Sequence, residues 1–239
     1  MNEDADLTAR LRSTLRGARA VAQTLPDCPG VELYLINADF PQGALSAEEQ
    51  QAAMERPAYW AFCWPSGQIL ADYLLRNPEL VRGKRVLDFG PGSGVVAVAA
   101  ALAGAAVVWA CDLDPDALAA TAANAALNGV SVECVGDVAN LPGTPDLITA
   151  ADVFYDPENT CWWQRFLELS PRVLAADCRA HHPPEARPAD EPTTRCSPRS
   201  RAGAYRLLFQ RTSGPVPAMD ICGEFRNVSL FLGQAPEVA

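Results

Sequence analysis

Five short apolar runs recur between residues 85 and 176: RVLDF (85–89), AVVWAC (106–111), VECV (132–135), DLITAA (146–151) and RVLAA (172–176). Each is nearly continuous, the pattern of a parallel strand buried on both faces rather than one with a wet side. Helical stretches at 94–103, 115–127 and 158–169 separate them, so the β-α-β-α-β order predicts a doubly wound α/β sheet. Two further runs, YRLLFQR (205–211) and NVSLFLG (227–233), are expected to finish that sheet as an antiparallel pair.

The N-terminal part follows a different period. Leu7, Leu11, Leu15 and Ala18 recur at three- and four-residue spacing among arginines, which predicts an amphipathic lid or packing helix over 4–23. A short strand at 33–36 follows, then a polar helix led in by Ser46, with Glu49 at the capping-box spacing. YWAFCWP (59–65) is the densest aromatic cluster of the chain, and the helix after it, 66–75, stops at Asn77-Pro78. Residues 178–203 carry five prolines and five arginines with almost no aliphatics, and read as a flexible insert. The expected division is an N-terminal helical extension over 1–56 and one domain over 57–239.

In VLDFGPGSG the glycines Gly90, Gly92 and Gly94 follow a strand and open a helix, which lets the backbone turn sharply against a ligand. A dinucleotide loop spaces its glycines G-x-G-x-x-G so that a pyrophosphate reaches the helix N-terminus. Here the third glycine arrives one residue early and Val95 occupies the dinucleotide position. Asp88, just before the turn, would repel a pyrophosphate but suits a cation. S-adenosylmethionine, which carries an ammonium and a sulfonium and no phosphate, fits both features. Asp112, ending the second strand in CDLDP, is placed to accept from ribose hydroxyls. Asp114 before Pro115 reads as a helix N-cap. Asp137 fits either an adenine contact or a turn cap.

Charge and cysteine usage narrow the partners. The 239 residues hold 19 Lys and Arg against 29 Asp and Glu, a net charge of −10, which gives no electrostatic reason to expect nucleic acid or an anionic membrane. The uncharged stretch 94–111 is shorter than the roughly 20 residues that a span requires. Eight scattered cysteines with no C-x-x-C pair, two histidines (His181, His182) and an acidic N-terminus predict reduced thiols, no metal site, no secretory signal and a cytoplasmic protein.

YWAFCWPSGQILADYLL, VRGKRVLDFGPGSGVVAVAA, ACDLDP, NAALNG and ADVFYD, in that order from about Pro57 to Leu174, resemble the seven-strand, class I methyltransferases. Within these they resemble the protein-lysine methyltransferase branch of the electron-transfer-flavoprotein-β type. The resemblance implies a Rossmann-like sheet of seven strands, mostly parallel with an antiparallel final strand, and transfer of a methyl group from S-adenosylmethionine to a protein lysine. It implies that Trp64, Gly67 and Leu113 join Asp88, Gly90, Gly92, Gly94, Asp112 and Asp137 around the cofactor. It also implies that Asp152 and Tyr155, the D-x-x-Y of ADVFYD, line the acceptor site as catalytic residues. A helix cap and a half-buried tyrosine are the plain structural alternatives for that pair, and core packing is the alternative for Trp60 and Trp64. The branch resembles D-P-G-R after the fifth strand, where this chain has Asp177-Cys178-Arg179. A small-molecule N-methyltransferase and a catalytically silent cofactor-binding interaction module are the rival readings. A nicotinamide-dependent oxidoreductase fails on the glycine spacing and on Asp88.

Overall fold

The computed structural model describes residues 3–41, 45–179, 204–214 and 223–235. The main sheet is built from β3 (Arg85–Phe89), β4 (Val107–Cys111), β5 (Glu133–Val135), β6 (Leu147–Ala151), β7 (Arg172–Asp177), β8 (Ala204–Thr212) and β9 (Asn227–Gln234). Their order is β5-β4-β3-β6-β7-β9-β8. The first five run parallel, and β9 lies antiparallel between β7 and β8. This is the Rossmann-like sheet expected from the sequence, mostly parallel with an antiparallel final strand.

Four of the five apolar runs have the two-sided burial that their composition predicts; VECV does not, because β5 is the edge strand, with Glu133 and Cys134 exposed and Val135 half-buried. Val86, Val108, Leu147 and Leu174 face α3 (Pro65–Arg76) and α4 (Val95–Leu102) in one core. Their neighbours Leu87, Trp109, Ile148 and Val173 face α6 (Trp162–Leu169), through Trp163 and Phe166, in the other. Alternate residues of a strand point to opposite faces, so Asp88 and Thr149 both turn toward α4. That orientation sets up the functional site.

The N-terminal segment departs from its predicted form. The helix expected over 4–23 ends at Arg12 (α1, Glu3–Arg12), and residues 20–24 form β1 (Ala20–Thr24), paired antiparallel with β2 (Glu32–Ile36). Leu15 and Ala18 continue the helical spacing by chance and are buried in the connecting turns. Gly17 interrupts the run, and AVAQT alternates buried with less buried positions as a half-covered strand does. Residues 1–56 are therefore not helical throughout. Beyond the hairpin, α2 (Ala47–Glu55) carries the predicted capping box, with Ser46 and Glu49 each accepting from the other's backbone N–H. The insert predicted over 178–203 lies outside the described residues from 180 onward.

The free edge of β2 docks on α5 (Pro115–Leu127) and the turn that follows it. The Asn124 Oδ1 accepts the Tyr34 N–H (2.7 Å), and its Nδ2 donates to the Ser93 carbonyl (2.8 Å). One helical turn on, the Asn128 Oδ1 accepts the Glu32 N–H (3.0 Å) while its Nδ2 donates to the Glu32 carbonyl (2.6 Å). Two asparagines four residues apart thus supply the hydrogen bonds that a neighbouring strand would have made. Leu33 and Leu35 of the same strand enter the main core.

Asn124 is fully buried, so Asn124→Ala leaves a backbone donor and a backbone acceptor without partners and is expected to cost about 2–4 kcal/mol. Asn128→Ala, at a less buried position, is expected to cost about 1 kcal/mol. Urea unfolding of both variants checks the ranking, and equal losses would contradict it.

Candidate cofactor and acceptor site

A cavity of about 800 Å³ opens at the carboxyl ends of β3, β4 and β6. It lies where the strand order reverses, with β4 on one side of β3 and β6 on the other, which is where doubly wound sheets bind ligands. Each residue expected at the site lines it, with the exception of Gly94.

The glycine turn explains both the rule and the exception. Gly90, Gly92 and Gly94 have φ of 65°, 53° and 80°, the left-handed region that side chains disfavour. A Cβ at Gly92 would meet no atom within 4 Å, so this residue borders open cavity. A Cβ at Gly94 would stand 2.9 Å from the Thr121 Cα, so Gly94 allows α4 and α5 to approach instead. The sequence reading sets all three glycines against a ligand, whereas the structure gives the third a packing role. Gly67 is similar, since its Cβ would fall 2.9 Å from Val95 Cγ1 at the contact of α3 with α4.

Asp88 is 1% exposed, and both of its oxygens have protein donors: the Thr149 hydroxyl (2.9 Å) and the Ala97 N–H (3.0 Å) in the first turn of α4. The carboxylate that the sequence reading sets against a cation spends both oxygens on these donors and caps the first turn of α4. Burial, opposed by those two hydrogen bonds and reinforced by nearby Asp112, pushes its pKa up to about 7. Asp112 accepts from the N–H groups of Asp114 (3.0 Å) and Gly92 (3.4 Å), and burial raises it as well. Leu113 beside it is 85% exposed, an unusual state for leucine, and it borders the cavity. Asp114 caps α5 through the Asp116 N–H, as predicted. Asp137 caps the turn at Val138–Asn140 through one oxygen, the plainer of its two readings, and also lines the cavity.

At the other end, Asp152 holds φ of 53°, a strained value for an aspartate. Its oxygens accept the Ser66 hydroxyl (2.6 Å) and the Ser66 N–H (3.0 Å) in the first turn of α3, so the helix-cap alternative describes its observed contacts. Burial foremost, with Asp177 adding repulsion, pushes it up to about 6. Tyr155 is 43% exposed, edge-on to Tyr59, which in turn meets Trp64. Trp64 anchors its indole N–H on the Tyr59 carbonyl (3.2 Å), while Trp60 is 3% exposed and belongs to the core between α1 and α5. Asp152, Asp177 and Cys178 bring donor atoms within 4.8 Å of one another. Hydrogen bonds account for this cluster: Asp177 accepts the Phe154 and Arg179 N–H groups, and Asp152 accepts from Ser66.

Sequence reasoning missed part of the wall. Cys178 and Arg179, the segment that departs from D-P-G-R, line the cavity, as do Trp162 and Arg165 of α6. The WW pair in an amphipathic helix was a usable signal for Trp162. No local pattern marked Arg179. The lining carries Asp88, Asp112, Asp114, Asp137 and Asp152 against Arg165 and Arg179, and this acidic excess suits a cationic nucleoside and opposes a pyrophosphate.

Two predictions follow from the contrasts within the turn. Gly94→Ala combines a left-handed φ with backbone overlap and is expected to destabilise by about 2–4 kcal/mol. Gly92→Ala keeps only the conformational cost, about 1 kcal/mol, and mainly narrows the cavity. Thermal melts with cofactor titrations separate the two effects. Asp88 and Asp152 keep their protons in the fold above the unfolded value near 3.8, so their contribution to stability is greatest below pH 4 and falls as pH rises through about 6 to 7. Asp88→Asn imitates the protonated form. Without ligand it is expected to exceed the parent by roughly 2–4 kcal/mol at pH 7.5 and to match it near pH 4. A pH-independent difference in urea unfolding would refute the assignment.

Residues 73–153 match the family model described as ribosomal protein L11 methyltransferase (PrmA). Electron transfer flavoprotein beta subunit lysine methyltransferase of Danio rerio is 50% identical over 103 residues, 41% of this chain and 39% of that protein. The Homo sapiens protein of the same name is 44% identical over 131 residues, 50% of this chain and 48% of its own length. The chain thus spans about half the length, or less, of these curated relatives. A protein assigned as a methyltransferase and solved with SAH aligns with a TM-score of 0.53 at 14% identity, over 91% of this chain and 58% of that one. Its likeness concerns the fold. Residues 73–153 are thus similar to a PrmA-type methyltransferase domain, and the chain shares its Rossmann-like fold with the solved methyltransferase.

Proposed function

We propose that the chain is an S-adenosylmethionine-dependent N-methyltransferase whose acceptor is a lysine side chain of a protein. The observation that carries this reading is one continuous cavity with two chemically different ends. Gly90, Gly92, Asp112, Leu113 and Asp137, which we read as the nucleoside end, line it together with Trp64, Asp152 and Tyr155, which we read as the acceptor end. The names of the relatives, lysine methyltransferases of the electron transfer flavoprotein beta subunit and a methyltransferase of ribosomal protein L11, agree with it.

In this reading Gly90 and Gly92 let the backbone approach the cofactor, and Asp112 accepts from the ribose hydroxyls. Leu113 covers the base, and the oxygen of Asp137 left over from its turn faces the amino group. Asp88 supplies negative charge beneath the turn, and Trp64 and Gly67 border the methionine part. When bound, the cofactor supplies a sulfonium methyl group for in-line transfer to an incoming amine. A lysine has a pKa of about 10.4 in water, so the site must take up its minor neutral form. Tyr155 hydrogen-bonds that amine and, with Tyr59 and Trp64, excludes water from its approach. Asp152 fixes the Tyr155 loop by holding Ser66.

The rim favours a polymer over a small molecule, since Tyr59 and Tyr155 remain 49% and 43% exposed. No helix among the described residues is long and apolar enough to cross a membrane, and Cys28, Cys63, Cys111, Cys134 and Cys178 are free thiols. A reducing compartment, the cytoplasm, belongs to the proposal on the strength of those thiols. So does the division into an extension over 1–56 and a methyltransferase domain over 57–239.

The deciding experiment incubates the protein with labelled S-adenosylmethionine and a lysate, followed by mass spectrometry of proteins and metabolites. Label on protein lysines is expected, and label confined to metabolites would overturn the acceptor. Asp112→Ala is expected to weaken cofactor binding about ten- to hundredfold. Tyr155→Phe is expected to lower kcat about tenfold or more with cofactor affinity kept. Full activity in both Tyr155→Phe and Asp152→Ala would remove them from the acceptor site.

A further inference from the structure

Arg179 stands two residues beyond the end of β7, where Asp177 fixes its backbone N–H (2.7 Å). Its guanidinium carbon lies 5.3 Å from the centre of the Tyr155 ring and 4.6 Å from that of Phe225. A guanidinium laid on aromatic faces is held in orientation while its N–H edge stays available for a planar, two-oxygen partner. Arg10, Arg76, Arg85 and Arg211 each have a carboxylate within ion-pair distance. Among the described residues neither Arg165 nor Arg179, the two arginines that line the cavity, has one; both are exposed, and Arg179 is the one seated against Tyr155. Asp156 and Asp112 are the other charged side chains whose fields reach Tyr155, so Arg179 is the cation among them. The acceptor end therefore combines an acidic environment suited to an amine with a guanidinium seated over two aromatic rings at its rim.

We propose that Arg179 reads a carboxylate on the acceptor, so that the polypeptide methylated here carries an aspartate or glutamate beside its target lysine. This inference rests on the protein-lysine reading of the site and adds a specificity determinant to it. A net charge of −10 repels acidic polypeptides at long range, so the discrimination must be local, and a charge-assisted bidentate contact supplies that. The cofactor's own carboxylate is the competing source of the same chemistry. Arg179 touches Tyr155, on the acceptor side, and this favours the acceptor.

The test uses the full chain and a set of eleven-residue peptides with one central lysine, in which each flanking position is in turn Glu, Gln or Lys. Two quantities are read: kcat/KM with S-adenosylmethionine, and peptide binding to the SAH-loaded protein by fluorescence anisotropy. Wild type is expected to favour peptides with Glu at one or two particular flanking positions by about tenfold or more over Gln. Arg179→Gln is expected to erase that preference, Arg179→Lys to restore part of it, and Arg179→Glu to turn it toward Lys at the same positions. Glu-dependent binding that follows Arg179, without methylation, would sustain this inference and overturn the methyltransferase reading. Methylation with no flanking preference, or a preference untouched by Arg179→Gln, would overturn the inference alone. Arg179→Gln weakening calorimetric binding of S-adenosylmethionine, with the peptide preference intact, would assign the guanidinium to the cofactor and likewise overturn it. Neither binding nor turnover with any peptide would overturn both.

Discussion

The site depends on how closely the glycine turn approaches α5. At Gly94 no side chain fits, because Thr121 occupies the space where a Cβ would stand. One residue earlier the Ser93 carbonyl is held by Asn124, whose other end holds the Tyr34 N–H of β2. The floor of the cavity, α5 and the N-terminal hairpin thus meet at one buried amide. Moving any of the three shifts Gly92, which borders the open space, and Asp112, which accepts the Gly92 N–H. The position of the nucleoside end is therefore set by packing outside the cavity, and the fold and the site cannot be tuned separately.

Buried charge is the second constraint. Asp88 and Asp152 each cap the first turn of a helix, α4 and α3, and each is satisfied by the donors found there. Helix N-termini favour negative charge, which offsets part of the cost of removing these groups from water. The offset is incomplete, and both pKa values stay well above the ordinary carboxylate range. A cationic ligand would complete the compensation for Asp88 by favouring its ionised form, so cofactor affinity and proton binding are linked through the fold rather than through direct contact alone.

The sequence made the parallel strands legible because their runs are apolar on both faces, and RVLDF and the helix 115–127 have the observed bounds. Caps written in local spacing, Ser46 with Glu49 and Asp114 before Pro115, were equally readable. Three features were not. The first strand of the N-terminal hairpin, 20–24, was hidden because Leu15 and Ala18 extended a helical spacing past the real end of α1, whereas its second strand was legible at 33–36. The packing role of Gly94 needed a neighbour 27 positions away, Thr121, and Arg179 acquires meaning only through Tyr155 and Phe225, which the fold brings to it. Motif spacing records what the backbone does within one turn, whereas these roles are set by contacts between distant segments.

Asp152 illustrates how such contacts limit chemistry. A carboxylate that already accepts two hydrogen bonds from Ser66, with a pKa near 6, is a weak base for an ammonium near 10.4. Proton transfer between them is uphill by about four pKa units, roughly 6 kcal/mol, before any geometric cost. Taking up the minor neutral amine from solvent carries a comparable cost near pH 7 without breaking the Ser66 contacts. The strained φ of Asp152 is consistent with a residue kept for where it holds the chain: it ties the Tyr155 loop to α3 at the point where the Trp64 segment begins that helix. In the proposed reaction its contribution would be the fixed separation of the aromatic rim from the glycine turn, a matter of position rather than basicity.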